Sequence, residues 1–462
     1  MKFIGLDIGT TSITGLVYDL ECRAVLHAVT EQNSSGLQGT GMEWEILQDP
    51  AIIIDIVEKI LQKLLTFQPE IAGIGLTGQM HGILYIGQDG QHVSPLYTWQ
   101  DGRAGLHIRN SVSYAEELSE RSGYRIAPGY GLATHYYNLQ CGLVPGSTVH
   151  LCTIADYAAM KLTGSHVPQI DATQAAAIGG YSFSIGRFDP DALSKAGIDA
   201  AILPQVVPSG TMVGGSEQGI PVYASLGDNQ ASFLGSVPLP DESVLLNIGT
   251  GSQLSLLMAD DTCRAEGMEA RPYPGGGVLM VGAALSGGRS YALLENFFRQ
   301  LIGAYNGKEP AEAYSLIAEL MTAESECGGN SGLAVNTQFL GTRSDPLARG
   351  SIEGISLDNF TPGKMAHAFL RGMIGELHGF YTEVTGSGIP AYKTLVGSGN
   401  ALRANPVLCA KAQDTFGLPL MLSASQEEAA VGAALCAAVG AGRIGSFREA
   451  GQYIITKGRS DQ

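Results

Sequence analysis

Short apolar runs alternate with amphipathic stretches along most of the chain, and this alternation predicts strands and helices in turn. Residues 71–76 form an apolar run that predicts a buried strand, whereas residues 57–65 carry apolar side chains at helical spacing. The same pairing returns late in the chain, where the helical pattern of residues 362–380 precedes the apolar run 394–396. Alternation of this kind is typical of layered α/β folds, in which ligand-binding groups lie at the ends of strands.

One loop pattern occurs twice, once in each half of the chain. The segment from Asp7 to Ser12 is repeated, with changes, by the segment from Asn247 to Ser252. Each copy follows an apolar run and precedes alternating apolar positions, so each predicts a hairpin with a tight turn. Backbone N–H groups and hydroxyls in such turns suit phosphate oxygens, and two turns facing each other across a cleft would hold a polyphosphate. Because only the first copy carries a carboxylate, Asp7, the pair predicts a single metal–nucleotide site.

The amino-acid composition and the net charge limit the kinds of molecule that the protein is expected to bind. A chain of 462 residues with 45% hydrophobic and 15% charged residues is globular and long enough for two domains. Its net charge of −17 argues against nucleic acid or an anionic membrane as partner, because like charges repel. A bound nucleotide would then need local neutralisation, most simply by Mg²⁺, although an acidic surface also serves solubility.

Cysteine usage and the start of the chain favour a reducing, cytoplasmic setting. The seven cysteines are scattered without a Cys-x-x-Cys pair, which suits free thiols better than a disulfide framework. Too few residues precede Asp7 for the apolar region of a signal peptide, and no apolar run reaches about 18 residues. We therefore expect a cytoplasmic protein without a membrane span.

Prolines mark the expected domain boundary. Pro238 and Pro240 stand immediately before the second hairpin, where they interrupt regular structure. We therefore predict one domain over residues 1–236 and another over residues 237–462. The Ala- and Gly-rich stretch 429–439 predicts a closely packed helix near the end of the chain.

Three further segments connect these patterns to a known family. They are residues 77–82, 98–103 and 226–231. Together with the two hairpins, they make the chain resemble the FGGY carbohydrate kinases from Asp7 to about Gly440. The resemblance implies an α/β fold of two ribonuclease-H-like domains, as in the actin and hexokinase superfamily, with a catalytic cleft between them.

Asp228 is the candidate general base. It follows an apolar run and is flanked by Gly227 and Asn229, so its carboxylate can project freely. Transfer of a phosphoryl group to an alcohol needs a group that accepts the hydroxyl proton. The resemblance implies that Asp228 has this role, whereas the residues alone would favour an N-cap for a helix beginning near Gln230.

Asp7 and the loops are the candidates for metal and ATP. A carboxylate at the end of a buried strand can hold Mg²⁺ through water, although an Asx-turn residue explains Asp7 alone equally well. The resemblance assigns both hairpin loops to the phosphates and two Gly-rich turns to the adenosine. The ATP-binding candidates are Thr10, Thr11, Ser12, Gly249, Thr250, Gly251, Gly287, Gly288, Gly397, Gly399 and Asn400.

A second set of residues combines the chemistry that polyols need. Amide and carboxylate groups bond hydroxyls, while aromatic and sulfur surfaces pack against C–H faces. The substrate-binding candidates are Gln79, Met80, His81, Trp99, Asp101, Asp228 and Asn229. A lone tryptophan is more often core and a lone histidine more often structural, so this assignment depends on the clustering and the resemblance. Weaker candidates from nearby loops are His135, Asp171 and Thr173.

The resemblance implies ATP- and Mg²⁺-dependent phosphorylation of the terminal hydroxyl of a ketose. Sedoheptulose is the leading substrate because the three segments resemble that branch of the family most, and xylulose and gluconate are the nearest alternatives. An actin- or Hsp70-like ATPase is the alternative from another class, but it has no need for the clusters at residues 79–81 and 99–103. We therefore expect a sugar and a nucleotide as ligands, no nucleic acid or membrane, and, from the resemblance, a homodimer.

Overall fold

The computed structural model of the protein describes residues 1–259, 265, 267–325, 332–342, 345, 347–386 and 392–457. The chain forms two compact units. The first consists of Met1–Leu239, Arg271–Val278 and Glu427–Ile455, and the second of Pro240–Ala270, Leu279–Gln426 and Thr456–Gln462. The first unit thus takes two later segments in addition to the N-terminal half of the chain.

A mixed sheet forms the centre of the first unit. Its strands follow the order Met212–Gly215, Pro221–Tyr223, Ile74–Gly78, Lys2–Ile8, Ser12–Asp19 and Ala24–Gln32, with Leu226–Gly227 also paired to Ile74–Gly78. Lys2–Ile8 and Ser12–Asp19 are antiparallel and form the first hairpin. Both Lys2–Ile8 and Leu226–Gly227 run parallel to Ile74–Gly78, so their carboxyl ends meet at one edge of the sheet.

Helices complete the core of the first unit by burying their apolar faces. Pro50–Phe67 buries Ile53, Ile60 and Leu64, and these side chains join the strand residues in one hydrophobic cluster. Burial of each such side chain contributes about 1.5–3 kcal/mol. The other helices of the unit are Tyr114–Ser122, Gly131–Gln140, Ile154–Thr163, Ala172–Ile178, Pro190–Ala196, Asp228–Leu234 and Glu428–Gly440, with 3-10 turns at Arg103–Gly105, Ala200–Ile202 and Glu449–Tyr453. Short strands are Gly36–Leu37, Leu47–Gln48, Leu84–Gly87, Leu96–Tyr97, His107–Arg109, Val112–Ser113, Thr148–Cys152, Gln169–Asp171, Tyr181–Ser182, Arg187–Phe188 and Gln205–Val207.

The helix Glu428–Gly440 packs on the first sheet at backbone distance. A Cβ added to Gly5 would lie 1.8 Å from the Ala430 carbonyl oxygen, and one added to Gly75 would lie 1.9 Å from that of Ala433. Only glycine on the strands, facing small residues on the helix, permits such an approach. The stretch predicted to pack closely therefore does so, and it does so in the first unit.

The second unit is built on a sheet of similar design. Its strands follow the order Met268–Pro272, Val278–Ala284, Ser252–Met258, Ser243–Ile248, Thr394–Ser398, Leu420–Ser423 and Thr456–Lys457. Ser243–Ile248 and Ser252–Met258 form the second hairpin, and Ser243–Ile248 runs parallel to Thr394–Ser398. The helices are Gly287–Asn306, Tyr314–Ser325, Pro362–Thr385, Asn400–Ala404 and Pro406–Phe416, and Ala334–Asn336 pairs with Ser351–Glu353.

The predicted alternation of strands and helices is confirmed, whereas several boundaries differ from the prediction. The helix expected over residues 57–65 begins at Pro50, because the Asp49 side chain accepts a hydrogen bond from the Ala51 N–H and proline suits the first turn. The strand expected over residues 71–76 runs instead from Ile74 to Gly78.

Two further features of the described residues concern the cysteines and the helices. The cysteines with free thiols are Cys22, Cys141, Cys152, Cys409 and Cys436, whereas Cys263 and Cys327 lie outside the described residues. None of the described helices combines the length and the hydropathy that a membrane span requires.

Candidate active site

Asn33 and Gln48 hold the loop of the first hairpin by bonding its carbonyl groups. Asn33 Nδ2 donates to the Gly9 carbonyl oxygen at 2.9 Å, and the Asn33 backbone N–H donates to that of Thr11 at 2.9 Å. Gln48 Nε2 donates to the Thr10 carbonyl oxygen at 2.9 Å. Because the C=O and the next N–H of a peptide plane point in opposite directions, the N–H groups of Thr10, Thr11 and Ser12 face away from these partners. That orientation suits the predicted contact with phosphate oxygens.

Asp7 lies at the end of the first strand, beside Thr77 of the parallel neighbour. Its Oδ1 atom is buried and has no hydrogen-bond partner in the described part of the chain. Burial, together with the charges of Asp228 and Glu427, raises the pKa of Asp7 to about 7. Oδ1 therefore does not make the bond of an Asx turn.

An unpartnered carboxylate oxygen close to a second carboxylate fits a divalent cation. Mg²⁺ takes oxygen ligands and keeps several waters, so one or two carboxylates with substrate phosphates complete its shell. Asp7 offers such an oxygen, and the Asp228 charge acts on the same carboxyl. No group of three or more His, Cys, Asp or Glu side chains suited to a metal occurs among the described residues, so a resident all-protein metal cage is not formed there.

Asp228 is the first residue of the helix Asp228–Leu234, and Gly227 occupies the N-cap position. The alternative role of Asp228 as an N-cap is therefore wrong, because the cap lies one residue earlier. Burial raises the pKa of Asp228 to about 6, while Arg271 and the Asn229 backbone N–H act in the opposite direction. The Asn229 side chain adds a buried Oδ1 without a partner among the described residues.

Buried side chains hold the strand end that precedes Asp228. Thr77 Oγ1 donates to the Leu226 carbonyl oxygen at 2.9 Å, and Gln174 Nε2 donates to the same oxygen at 3.0 Å. The Gly227 N–H donates to Thr173 Oγ1 at 2.8 Å. Thr173, a weak candidate for substrate contact, thus fixes the backbone immediately before Asp228.

A closed hydrogen-bond network joins the first hairpin loop to the predicted sugar residues. Trp99 Nε1 donates to Thr10 Oγ1 at 3.0 Å, and Thr10 Oγ1 donates to Gln79 Oε1 at 3.3 Å. Gln79 Nε2 in turn donates to Gln48 Oε1 at 2.8 Å. Gln79 is buried, whereas 45% of Trp99 is exposed. The network therefore connects a phosphate-loop candidate with two sugar candidates.

Met80 and His81 follow Gln79 in a strained turn. His81 has a backbone φ of 73°, in the left-handed region that costs a non-glycine residue energy. Its Nδ1 lies 2.6 Å from the Ala177 carbonyl oxygen, and its ring stacks on Tyr130 at a centroid distance of 4.6 Å. Met80 is buried against the backbone of Gly227, because a Cβ added there would lie 2.8 Å from the Met80 sulfur. Met80 is therefore adjacent to the segment that carries Asp228.

Asp101 is part of a buried ion pair. Its Oδ1 accepts from Arg103 Nε at 2.7 Å, and its Oδ2 accepts from Arg103 Nη2 at 3.1 Å and from the Ile46 N–H at 3.2 Å. The Arg103 guanidinium also lies over the ring of Tyr97, 4.2 Å from its centroid, and donates to Asn138 Oδ1. These bonds already engage both Asp101 oxygens and hold the segment that carries Trp99.

His135 and Asp171, the other weak candidates, have structural partners. His135 is buried with Nδ1 2.9 Å from the Tyr85 hydroxyl, and burial lowers the pKa of His135 to about 4. Asp171 caps the helix Ala172–Ile178 through the Thr173 N–H and accepts a bond from the Ser209 hydroxyl. Neither residue needs a ligand to satisfy its polar atoms.

The loop of the second hairpin is held by a helix. The Gly288 N–H donates to the Gly249 carbonyl oxygen at 3.1 Å, and the Arg289 N–H donates to that of Thr250 at 3.2 Å. Gly287, with φ of 40°, approaches the loop so closely that an added Cβ would lie 2.2 Å from the Gly251 carbonyl carbon. The structure therefore brings the predicted ATP residues at 249–251 and 287–288 together.

The turn after Thr394–Ser398 lies against the same hairpin. Gly399 has φ of 87°, and a Cβ added to it would lie 2.4 Å from the Ile248 carbonyl oxygen and 3.0 Å from Asn247 Oδ1. Gly397 pairs with Leu246 in the parallel register, and Asn400 begins the helix Asn400–Ala404. The predicted adenosine turn is thus adjacent to the second hairpin loop.

Three residues of the site were missed by the sequence reasoning. They are Asn33 and Gln48, which hold the first loop, and Arg271, whose guanidinium lies 3.9 Å from the Met80 sulfur. Asn33 and Gln48 lie outside any motif, and their roles depend on contacts between distant loops. A lone arginine in the strand Met268–Pro272 was the only available signal for Arg271.

Two family models and several relatives match the chain over most of its length. Residues 2–235 match the N-terminal domain of the FGGY family of carbohydrate kinases, and residues 244–441 match the C-terminal domain of that family. The chain is 28% identical to a sedoheptulokinase of Mus musculus, over 94% of this chain and 96% of that relative. It is 26% identical to a glycerol kinase of Thermus brockianus, over 96% of this chain and 91% of that relative. The crystal structure of a xylulose kinase from Rhodospirillum rubrum, 23% identical, has the same fold, with a TM-score of 0.84 over 99% of this chain and 93% of that one.

Proposed function

We propose, since the chain belongs to the FGGY family of carbohydrate kinases, that its acceptor is the terminal hydroxyl of a ketose, with sedoheptulose as the leading substrate. The protein is a phosphotransferase that acts on a sugar hydroxyl, and ATP follows from the family as co-substrate. The similarity to a sedoheptulokinase supports this choice of sugar. Xylulose and gluconate are the alternatives within the family.

The observation that supports the proposal is that Asp228 and the candidate substrate-binding residues lie in one compact unit, with Met80 next to the segment that carries Asp228. Its carboxylate begins a helix at a strand end, and Asn229 adds an unpartnered acceptor in the described region. Met80 packs against the preceding glycine, and Trp99 is an aromatic residue that is partly exposed. The first unit thus has acceptors for sugar hydroxyls, apolar side chains for C–H faces and a candidate base.

In the proposed reaction, Asp228 accepts the proton of the sugar hydroxyl as that oxygen attacks the γ-phosphorus of ATP. The bond between the γ-phosphorus and the bridging oxygen breaks, and ADP leaves. General-base assistance of this kind contributes about 10²–10⁴-fold to the rate. The pKa of Asp228, raised to about 6 by burial, keeps it ionised at neutral pH and a better proton acceptor than an ordinary carboxylate.

The two hairpin loops would hold the phosphates. In each loop the carbonyl groups are bonded on one side, so the N–H groups are directed to the other. Asp7 would bind Mg²⁺ directly or through water, and the ion would neutralise charge on the phosphate oxygens. A half-exposed indole held by Thr10 would place the sugar beside the first loop.

The test is sugar-dependent release of ADP from Mg-ATP, measured with sedoheptulose, xylulose, ribulose, gluconate and glycerol. We expect sedoheptulose to give the highest kcat/KM, and Asp228→Asn to lower it by about 10²–10⁴-fold. Asp191→Asn is the matched control, because this carboxylate is exposed in the same unit. The control should retain full activity.

The possible results separate the alternatives. Preference for xylulose or gluconate, abolished by Asp228→Asn, would keep the base and replace the sugar. Release of ADP that is equal with every sugar and with none would contradict a ketose kinase and favour an ATPase of the actin or Hsp70 type.

A further inference from the structure

Arg271 is a buried cation next to the predicted sugar residues. It lies near the end of the strand Met268–Pro272, in the segment Arg271–Val278 that belongs to the first unit, and is only 9% exposed. Its Nη1 is 3.9 Å from the Met80 sulfur, and the charge of Asp228 acts on it. Burial lowers the pKa of Arg271, and the Asp228 carboxylate acts in the opposite direction. Burying a charge is costly, so a cation at this place needs a partner or a function.

The backbone next to Arg271 is tied to the helix that begins with Asp228. Gln230 Nε2 donates to the Pro272 carbonyl oxygen at 3.2 Å. One turn further along the helix, Phe233 packs edge-on against Tyr273, with ring centroids 5.6 Å apart. The backbone that carries Arg271 is therefore fixed relative to the candidate base by contacts of the two residues that follow it.

Two acceptors lie at the candidate base. The Asp228 carboxylate and the buried Asn229 Oδ1 accept hydrogen bonds, and neither of these atoms can donate one. A sugar hydroxyl both donates and accepts, so these acceptors need donors beside them, and the Asn229 amide N–H groups and a guanidinium are the kinds of donor available. A guanidinium has five N–H donors in a plane, and it can hold one partner while donating to another.

We propose that Arg271 is a specificity-determining residue, which donates hydrogen bonds to the oxygen substituent on the sugar carbon next to the phosphorylated one. This inference rests on the proposed function, because it takes Asp228 as the base that contacts the reacting hydroxyl. Oxygens on adjacent carbons are the closest pair in a sugar, and Arg271 acts on the same carboxylate as the reacting oxygen would. The acceptor class is therefore a vicinal diol.

The test compares two acceptors in each of four proteins. One acceptor is the preferred sugar, and the other is the same sugar deoxygenated at the carbon next to the phosphorylated one. The proteins are the wild type, Arg271→Met, Arg271→Lys and the control Arg187→Met, in which an exposed arginine of the same unit is replaced. The measured quantity is the ratio of the two kcat/KM values within one preparation, which does not depend on the fraction of folded enzyme.

We expect the wild type and Arg187→Met to prefer the intact sugar by about 10–100-fold, the effect of one charged hydrogen bond. Arg271→Met should lower this ratio to within about threefold of unity, and Arg271→Lys should give an intermediate value. A ratio in Arg271→Met equal to that of the wild type would overturn the inference, whatever the absolute loss of rate, because Arg271 would then act on both acceptors alike. A wild type that phosphorylates none of the sugars would instead overturn the proposed function, and the inference with it.

Discussion

The two hairpin loops have the same backbone design but are held by different partners. In the first unit, the side chains of Asn33 and Gln48 bond the loop carbonyl groups, and Gln48 also bonds Gln79. In the second unit, the N–H groups of Gly288 and Arg289, at the start of a long helix, take that place. The first loop is therefore linked to residues that suit a sugar, whereas the second is held by backbone N–H groups in the part of the chain that the structure describes.

The sheet registers extend this comparison to individual positions. Asp7 pairs with Thr77 in the first unit, and Asn247 pairs with Ser398 in the second. Leu226 lies opposite Thr77, and Leu422 lies opposite Gly397, one position before Ser398. Ser423 is therefore level with Ser398, as Leu226 is with Thr77. Asp228 comes two residues after Leu226 and Ser425 two residues after Ser423, so these two positions correspond. Both carboxylates of the first unit thus correspond to neutral residues in the second, so a repeated scaffold carries acid–base chemistry in one copy only.

Replacement of Asp7 by asparagine would make the first loop a copy of the second at this position. We expect kcat/KM to fall on the order of a thousandfold, because the carboxylate for the metal is lost. The raised pKa of Asp7 means that stability falls as pH rises from about 4 through 7, since the folded state binds the proton more tightly. Asp7→Asn should remove that fall and be more stable than the wild type at pH 8 by about 1–2 kcal/mol. Turnover assays and urea unfolding measure the two effects, and a variant that loses stability would contradict the account.

The pH profile of the wild type tests the base of the first unit. Asp228 must be ionised to accept a proton, and burial raises its pKa to about 6. With Mg²⁺ at a saturating concentration, so that Asp7 stays ionised, log kcat/KM should therefore be level above about pH 7 and decline by about one per pH unit below pH 6, which gives on the order of a hundredfold loss by pH 4. A profile that stays level down to pH 4.5, in enzyme still folded by circular dichroism, would exclude this assignment.

Gly287→Ala tests the backbone support of the second loop. Both its φ of 40° and the 2.2 Å distance from an added Cβ to Gly251 require the loop to move. We expect a loss of about 2–3 kcal/mol of stability and a rise of about tenfold in the KM for ATP, with little change in the KM for sugar. Gly307→Ala is the control, because it has a similar left-handed φ but no atom within 4 Å of an added Cβ. Equal effects of the two variants on the KM for ATP would refute a specific role of the contact.

Asn247→Asp gives the second loop the carboxylate of the first. The new charge would lie beside the Gly399 turn and repel the phosphates, so the KM for ATP should rise about five- to tenfold. Isothermal titration of ATP, with and without Mg²⁺, measures the change. Tighter binding in the presence of Mg²⁺ would instead mean that the second loop can also recruit the metal.

Thr10→Val removes the hydroxyl that joins Trp99 and Gln79 to the first loop. We expect the KM for sugar to rise about three- to tenfold, the effect of one or two neutral hydrogen bonds. Thr250→Val is the matched control, because this threonine is exposed in the second loop. Equal changes in the KM for sugar in both variants would mean that the hydrogen bonds between the first loop and the sugar residues do not contribute to sugar binding.

Much of the scaffold could be predicted because it depends on local pattern. The two hairpins, the strand before Asp228 and the closely packed helix near the end follow from apolar runs and glycine placement. The unit that receives this last helix could not be predicted, because a helix that is apolar on all sides gives no preferred face. The hydrogen bonds among Thr10, Gln79 and Trp99 could not be predicted either, because they join loops that are distant in sequence.

The position of the helix Glu428–Gly440 has a consequence for biosynthesis. The chain leaves the first unit at Leu239 and, apart from residues 271–278, returns to it only at Glu427. At about 5–20 residues per second, a ribosome needs roughly 10–40 s to translate that interval. Throughout this time the helix that covers Gly5 and Gly75 has not yet been made, so the sheet face around these glycines lacks its partner. A chain truncated before residue 428 should therefore be prone to aggregation, because it lacks the helix that covers the first sheet.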